Sequence, residues 1–296
     1  MASATIDPAA ELFPTQVCFM VDDVQRAAEE CVARFGWGPF RHFTADVPDS
    51  HYRGWCGRRH NDVALGMAGR VQVELLHVHE GRAAISDYQA EYGRGFQHLG
   101  IACGSREAAL ERLEALGASL DESNEFGGTR FAFVDVPTGP AMFELLDHEG
   151  EEPGRLREAT AEETESGVRV LGLDRATIVT ADIDSSLRFY AQAFGWEDAR
   201  AEPQTLRHAA GTSCMRRFVG HAGWLDLELV EPAGTAEDPY SRHRARGPHG
   251  LVHAGGPSPE GFAASSSVEY EWLETGERFA LYDWAGGPGS LQLRGA

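Results

Sequence analysis

The stretch Arg94-Gly95-Phe96-Gln97-His98-Leu99-Gly100-Ile101-Ala102 decides how this chain is interpreted. Its pattern predicts a β-strand, in which successive side chains point to opposite faces of a sheet. His98 then points to one face, while Leu99 and Ile101 point to the other. A single histidine of this kind is more often a packing residue than a ligand, so the polar residues of other strands decide its role.

Three other predicted strands, which are mainly apolar, bring polar side chains to the same place. These residues are Gln16 in 14–21, Glu74 in 71–76 and Glu144 in 141–146. Strand alternation puts Glu74 on the face opposite its apolar neighbours, and it does the same for Glu144. Two buried carboxylates that converge need a compensating cation, which arginine or a metal ion can supply. Gln16 alone could also be a polar residue without a special role.

The composition excludes several kinds of partner and chemistry. The chain has 296 residues, 42% of them hydrophobic, which is enough for a large core and, as a prior, for two domains. A net charge of -20 makes nucleic acid an improbable partner, because such domains usually present a basic face. All 26 basic residues are arginines, so Schiff-base chemistry and a lysine general base are excluded.

The cysteines and the apolar runs indicate a cytoplasmic protein. The 5 cysteines are scattered and include no C-x-x-C pair, so a disulfide framework is improbable and a reducing compartment fits. Residues 1–14 show no signal peptide, and no apolar run approaches the roughly 18 residues that span a membrane. We expect a small-molecule substrate, no nucleic-acid or membrane partner, and a monomer or homodimer.

Internal duplication is the strongest organisational feature. The spacing from Asp23 to Trp37 recurs from Asp182 to Trp196, with a predicted helix between in each case. Because residues 149–167 are rich in glutamate, they form the best linker candidate. The sequence therefore predicts an N-terminal domain over 1–148 with a metal site, an acidic linker over 149–167, and a C-terminal domain over 168–296 with a degenerate site.

These segments resemble the vicinal oxygen chelate superfamily, which includes glyoxalase I, methylmalonyl-CoA epimerase, extradiol dioxygenases and bleomycin-resistance proteins. The resemblance is closest to the glyoxalase and epimerase branch. It covers residues 14–148 well and 170–296 weakly. It rests on the segments Gly95–Ala102, Val73–His77 and Met142–Leu146, and on Gln16, which lies seven residues before Asp23.

The resemblance implies the fold and the ligand set. The implied fold is α+β, with four tandem βαβββ modules in two pairs, each pair a curled mixed sheet that forms a cup. The implied ligands of one divalent metal ion are Gln16, Glu74, His98 and Glu144. One imidazole, two carboxylates and an amide oxygen suit Zn, Ni, Co, Mn or Mg, whereas Fe fits less well.

The predicted reaction follows from this donor set. A metal ion with open positions can polarise a carbonyl and stabilise an enediolate or enolate. A nearby carboxylate can then move a proton at the adjacent carbon. The resemblance implies Glu144 as the base and Glu74 as a ligand or second base. We therefore expect a metal-dependent isomerase, epimerase or lyase that acts on a small oxygenated substrate.

The C-terminal half departs from the pattern. The positions matched to Gln16, His98 and Glu144 are Arg175, Gly250 and Gln292, and only Glu228 keeps the type of its counterpart Glu74. His249 and His253 are interpreted as out of register. We expect no metal ion in 170–296, and we expect Arg175 to neutralise Glu228.

Two other functions remain open. An Fe(II) ring-cleaving-type dioxygenase of this fold normally needs two histidines and one carboxylate, and Gln16 stands where a histidine would be expected. A non-enzymatic binding or resistance protein of the same fold would not need the metal site. Fold analogy alone does not decide between these chemistries.

Overall fold

The structure is a computed structural model of the chain. It describes residues 11–137, 142–147, 172–234, 238, 240–241, 254–257, 268–284 and 287–294. The predicted linker 149–167 lies outside these residues. The predicted domain boundaries therefore stay predictions.

The N-terminal half contains eight strands and three helices. The strands are β1 (Phe13–Met20), β2 (Arg41–Tyr52), β3 (Trp55–Ala68), β4 (Val71–Glu80), β5 (Gly95–Cys103), β6 (Ser119–Phe126), β7 (Thr129–Asp135) and β8 (Met142–Asp147). The helices are α1 (Val24–Phe35), α2 (Ala84–Tyr92) and α3 (Arg106–Ala115). Strand, helix and three strands follow one another twice, with α2 as the connection, as the βαβββ prediction requires.

These strands close into a barrel in the order β1-β4-β3-β2-β6-β7-β8-β5. Strand β1 runs parallel to β4 and antiparallel to β5, and β5 runs parallel to β8. The four strands that were predicted to carry the metal ligands are therefore consecutive neighbours on one side of the barrel.

The C-terminal half repeats the plan. In its described residues, the helix is α4 (Ile183–Phe194), and the strands are β9 (Arg175–Val179), β10 (Glu202–His208), β11 (Gly211–Ala222), β12 (Leu225–Pro232), β13 (Ala254–Pro257), β14 (Val268–Trp272), β15 (Arg278–Trp284) and β16 (Gly287–Arg294). They form a second closed barrel in the order β10-β11-β12-β9-β13-β16-β15-β14. Residues 258–267, between the first two strands of the fourth module, lie outside the described part.

The duplicated helices begin and end alike. Asp23 caps α1 by accepting a hydrogen bond from the Arg26 amide at 3.0 Å, and Asp182 caps α4 by accepting one from the Ser185 amide at the same distance. Each helix ends at a glycine with a positive φ, which is 68° at Gly36 and 72° at Gly195. A left-handed residue at this position favours glycine, so the spacing seen in the sequence has a structural cause.

The two halves share one apolar core. Buried residues of both barrels and of α1, α3 and α4 belong to it. Phe143 of β8 makes ring contacts with Phe189, Tyr190 and Phe194 of α4, with centroid distances of 6.3, 6.0 and 6.0 Å. The side chains that alternate with the polar ones on β4 and β8 thus pack outward against helices, and the polar ones face into the first barrel. Within the described residues, no helix combines the length and the apolarity needed to cross a membrane.

Candidate metal centre

Strand register sets two adjacent rows of residues across the floor of the first barrel. The first row contains Glu74, Cys18 and His98, and the second contains Gln72, Gln16, Gly100 and Glu144. Strand β1 supplies the middle residue of the first row because it lies between β4 and β5. Residues that are distant in sequence are therefore neighbours across the sheet.

Nε2 of His98 is the point on which the predicted ligands converge. Oε2 of Glu74 and Oε2 of Glu144 each lie 3.2 Å from this nitrogen, and Oε1 of Gln16 lies 3.4 Å from it. His98 is fully buried, and the exposed fractions of the two carboxylate side chains are 14% and 11%. The structure thus brings together all four predicted residues.

The hydrogen bonds of His98 explain why this arrangement suits a cation. Nδ1 of His98 contacts Oε1 of Gln97, an acceptor, so a neutral ring carries its proton on Nδ1. Nε2 then presents a lone pair to three oxygen atoms, and Oε2 of Glu74 is buried without a hydrogen bond. A positive charge shared by these donors would relieve the repulsion. A ligand histidine whose other nitrogen donates to a carbonyl is the usual arrangement at metal sites.

Two neighbours orient the amide of Gln16. Its Nε2 donates to Oε1 of Gln72 at 2.7 Å, which turns the carbonyl oxygen towards His98. Gly100 leaves the space for this side chain, since a Cβ atom at that position would lie 2.3 Å from Oε1 and 2.6 Å from Cβ of Gln16. Gln72 and Gly100 therefore position Gln16, which is one of the predicted ligands.

The electrostatics of the cluster are set by burial and by the closeness of its acidic groups to His98. Burial raises the pKa of Glu144 above its usual value, and the neighbouring His98 opposes this only in part. Burial lowers the pKa of His98, but Cys18 and Glu144 outweigh it, so the net pKa lies well above the usual value. A metal ion would have to displace the proton that these groups share. The residues present fit a divalent ion, and their role as its ligands stays a prediction.

A cavity of about 510 Å³ opens above the cluster. Gln16, Glu74 and Glu144 border it, and its walls are mainly apolar. The apolar lining residues deep in the barrel include Val63, Leu65, Leu76, Ile85, Phe131 and Phe133. At the mouth, Phe43 and Phe126 stack at a centroid distance of 6.0 Å, and the guanidinium of Arg41 lies 5.1 Å above Phe43.

A buried ion pair forms one polar wall of this cavity. Arg59 and Glu122 are both almost fully buried and contact each other directly. Glu122 also accepts hydrogen bonds from Nδ2 of Asn124 at 2.6 Å and from the Ala84 amide at 3.1 Å. Burial raises the pKa of Glu122, and Arg59 opposes that rise. This network holds a guanidinium at the cavity wall in a fixed position.

The C-terminal barrel carries charge at the equivalent place but neutralises it differently. Glu228 pairs with Thr177 as Glu74 pairs with Cys18, and it is fully buried. Its closest cation is Arg217, which contacts Oε1 directly, whereas Nη1 of Arg175 is 3.8 Å away and lies nearer to Glu277, at 2.7 Å. The prediction named only Arg175. The sequence did not reveal Arg217, because its contact with Glu228 depends on the pairing of β11 with β12.

Strand register also corrects one sequence match. Gly255 pairs with both Arg175 and Gln292, as Gly100 pairs with both Gln16 and Glu144. Gly255 is therefore the counterpart of Gly100, and the counterpart of His98 in sequence is His253 rather than Gly250. His249, Gly250 and His253 lie outside the described residues, and the expectation of no metal ion in 170–296 stays a prediction.

Sequence reasoning missed several residues that contribute to the centre. Cys18 follows Gln16 by two residues, so strand alternation alone puts both on one face, and the same argument applies to Gln72 and Glu74. No comparable signal marks Gln97, which neighbours His98 and contacts its ring by its own side chain. Arg59 and Glu122 meet across strands whose pairing cannot be deduced from sequence.

The chain belongs to the Glyoxalase/Bleomycin resistance protein/Dioxygenase superfamily. Residues 15–133 match one model of this superfamily, and residues 172–267 match a second model with the same description. Together the two ranges cover more than half of the chain, which confirms the resemblance and its tandem character. A comparison with curated proteins found no match.

Solved structures share the fold at low identity. A mutant of 4-hydroxymandelate synthase from Streptomyces coelicolor is 15% identical, with a TM-score of 0.60 over 98% of this chain and 92% of that chain. A xylose isomerase-like TIM barrel/4-hydroxyphenylpyruvate dioxygenase fusion protein is 13% identical, with a TM-score of 0.51 over 98% of this chain and 50% of that chain. Methylmalonyl-CoA epimerase from Mycobacterium tuberculosis covers 50% of this chain, at 17% identity and a TM-score of 0.34 over 95% of its own length. At such identities the likeness concerns the fold alone.

The space at Gly100 gives a test of the centre. We expect Gly100→Ala to displace Gln16 and to weaken the binding of Zn²⁺ or Mn²⁺ by about 10- to 100-fold, as when other residues that orient a ligand are lost. Isothermal titration calorimetry measures the affinity. The control is Gly172→Ala, where an added Cβ would meet only an ordinary contact at 3.9 Å. Unchanged affinity in a folded Gly100→Ala protein would contradict the role of Gln16.

The buried charge of the second barrel gives another test. Burial raises the pKa of Glu228, but Arg217, Arg175 and Thr177 outweigh it and hold the pKa below its usual value. This ionised group thus stabilises the wild-type protein above the unfolded-state pKa of about 4.3, and the effect is lost as the pH falls through the folded-state pKa. We expect Arg217→Met to cost about 3–5 kcal/mol at pH 7.

The difference in unfolding free energy between wild type and this variant should shrink at acidic pH, because Glu228 without its closest cation takes up a proton more readily. Urea denaturation at neutral and acidic pH measures this. Arg207→Met removes an exposed ion pair with Glu271 and should cost at most about 1 kcal/mol. If the difference in unfolding free energy between wild type and Arg217→Met widens on acidification, the role of Arg217 as the closest cation of Glu228 is contradicted.

Proposed function

We propose that this protein is a metal-dependent enzyme that moves a proton next to a carbonyl group of a small oxygenated substrate. The observation that carries the proposal is the convergence of three oxygen atoms on Nε2 of His98 at the floor of a cavity. The donor set supports a divalent ion such as Zn, Ni, Co, Mn or Mg. When bound, such an ion would polarise a carbonyl oxygen and stabilise the negative charge that develops there.

Glu144 is the proposed base. Its carboxylate borders the cavity, and burial raises its pKa, which makes it a better proton acceptor than an exposed glutamate. Glu74 lies on the other flank of the barrel floor and would act as a ligand or second base. Loss and return of a proton at one carbon gives epimerisation, return at a neighbouring atom gives isomerisation, and loss of a leaving group gives a lyase reaction.

The cavity supports a small substrate with an apolar body. Its deep wall is formed by aliphatic and phenylalanine side chains, which exclude water from the reacting end. Arg59, held by Glu122, lies on the same wall and can face negative charge on the substrate. The polar groups at the floor and the apolar groups above it would orient the oxygen atoms of a substrate towards the ligand cluster.

A ring-cleaving-type Fe(II) dioxygenase is the second candidate. Its support is a likeness of fold over 98% of this chain to the fusion protein whose name includes 4-hydroxyphenylpyruvate dioxygenase. Against it, the described centre contains one imidazole rather than the two that such iron sites use. A third candidate, a binding or resistance protein, would use the cavity without the chemistry.

Metal content tests the site itself. We expect wild-type protein to bind one divalent ion per chain and His98→Ala to lose it, because the variant lacks the only nitrogen donor of the predicted set. His77→Ala is the control, since His77 hydrogen-bonds the Val21 carbonyl at 2.8 Å and does not belong to the cluster. Elemental analysis after dialysis measures the stoichiometry. Equal metal content in wild type and His98→Ala would contradict the predicted metal site.

Proton exchange tests the reaction. We expect the wild-type enzyme to catalyse deuterium uptake from heavy water into at least one member of a panel of 2-keto acids, hydroxyketones and acyl thioesters. Glu144→Gln at saturating metal should slow this by about 10²- to 10⁴-fold, the usual contribution of a general base. Proton NMR measures the exchange, and an oxygen electrode runs in parallel. Oxygen consumption without exchange would favour the dioxygenase, and binding without either would favour a binding protein.

A further inference from the structure

We propose that the thiol of Cys18 is a further ligand of the metal centre, and that it makes the centre select a thiophilic ion such as Zn²⁺ or Co²⁺ over Mg²⁺ or Mn²⁺. The inference rests on the metal site of the proposed function and extends it. The set of ligands predicted from the sequence and from the superfamily resemblance did not include this residue.

The position of Cys18 carries the inference. In the register of the sheet it lies between Glu74 on β4 and His98 on β5, and it is fully buried. The donor atoms of Cys18, Glu74 and His98 all lie within 4.8 Å of one another. Two ligands of one metal ion are separated by at most about 4.5 Å when a sulfur bond is about 2.3 Å and an oxygen or nitrogen bond is about 2.1 Å. Small side-chain adjustments would therefore let one ion contact all three.

Comparison with other buried cysteines supports a special role. Cys31 and Cys103 belong to the apolar core between the strands and the helices. Cys18 belongs to the apolar cluster inside the first barrel, but it also interacts with the His98 side chain and lies close to two carboxylates. A cysteine that only filled space would not need these polar neighbours. Its counterpart in the second barrel is Thr177, which donates a hydrogen bond to Glu228.

Thiolate coordination explains a choice of metal. A thiolate binds borderline-soft ions such as Zn²⁺ more strongly than Mg²⁺ or Mn²⁺, which prefer oxygen. On coordination the thiol loses its proton to solvent and the sulfur donates an electron pair to the ion, with no change of oxidation state. Glu74 and His98 belong both to the predicted ligand set and to the cluster with Cys18, so the sulfur would add one donor to that set.

Cobalt substitution tests the inference. Co²⁺ is added to protein in which the exposed Cys56 and Cys214 are replaced by serine. We expect visible ligand-field bands at one Co²⁺ per chain, together with a sulfur-to-cobalt charge-transfer band in the near ultraviolet. Cys18→Ser should lose the charge-transfer band and keep the ligand-field bands, whereas the matched buried control Cys103→Ser should keep both. Zn²⁺ affinity should fall at least about tenfold in Cys18→Ser, with Mn²⁺ affinity nearly unchanged.

X-ray absorption at the zinc edge of the unaltered protein gives an answer that does not depend on folding of the variant. We expect one sulfur scatterer at about 2.3 Å. One bound ion without sulfur scattering and without the charge-transfer band would overturn the role of Cys18 and leave the proposed function standing. Failure of wild-type protein to bind either ion, or equal binding by His98→Ala, would overturn both.

Discussion

The repulsion among acidic groups gathered inside a barrel is the constraint on which this structure depends. Two carboxylates, those of Glu74 and Glu144, lie beside His98, and burying such groups is costly unless a positive charge compensates for it. Three neighbouring residues hold the cluster in place. Gln97 fixes the ring, Gln72 turns the amide of Gln16, and the missing side chain at position 100 leaves room for it.

The second barrel solves the same problem with arginine. Glu228 occupies the place of Glu74, but two guanidinium groups and a hydroxyl surround it, and Glu277 completes the network. A guanidinium stacked on Trp272 at 4.7 Å fills part of the barrel interior. Within the described residues, the second barrel thus keeps its buried carboxylate charged with cations that belong to the chain itself. The first barrel would need the predicted metal ion for this.

Much of the fold and of the candidate site could be predicted from the sequence, and the rest could not be predicted for physical reasons. Alternation along each strand determined which side chains share a face, and duplication with similar caps determined the modules. His98 and the three residues around it could be named because each is a polar residue in a mainly apolar strand. Cys18 was accessible to the same argument, but a cysteine in an apolar strand resembles an ordinary core residue. The contacts of Arg217 depend on which strands pair, so the sequence alone could not give them. The strand register was also needed to show that the counterpart of His98 is His253 rather than Gly250, three residues earlier.

The core that runs between the two barrels has a consequence for how this chain can change over time. Phe143 and the aromatic residues of α4 bury one another, so neither half has a finished surface of its own. Deleting the half with the arginine network would uncover a broad apolar face on the other. The C-terminal half therefore supports the first barrel through this shared core, whatever its own interior binds.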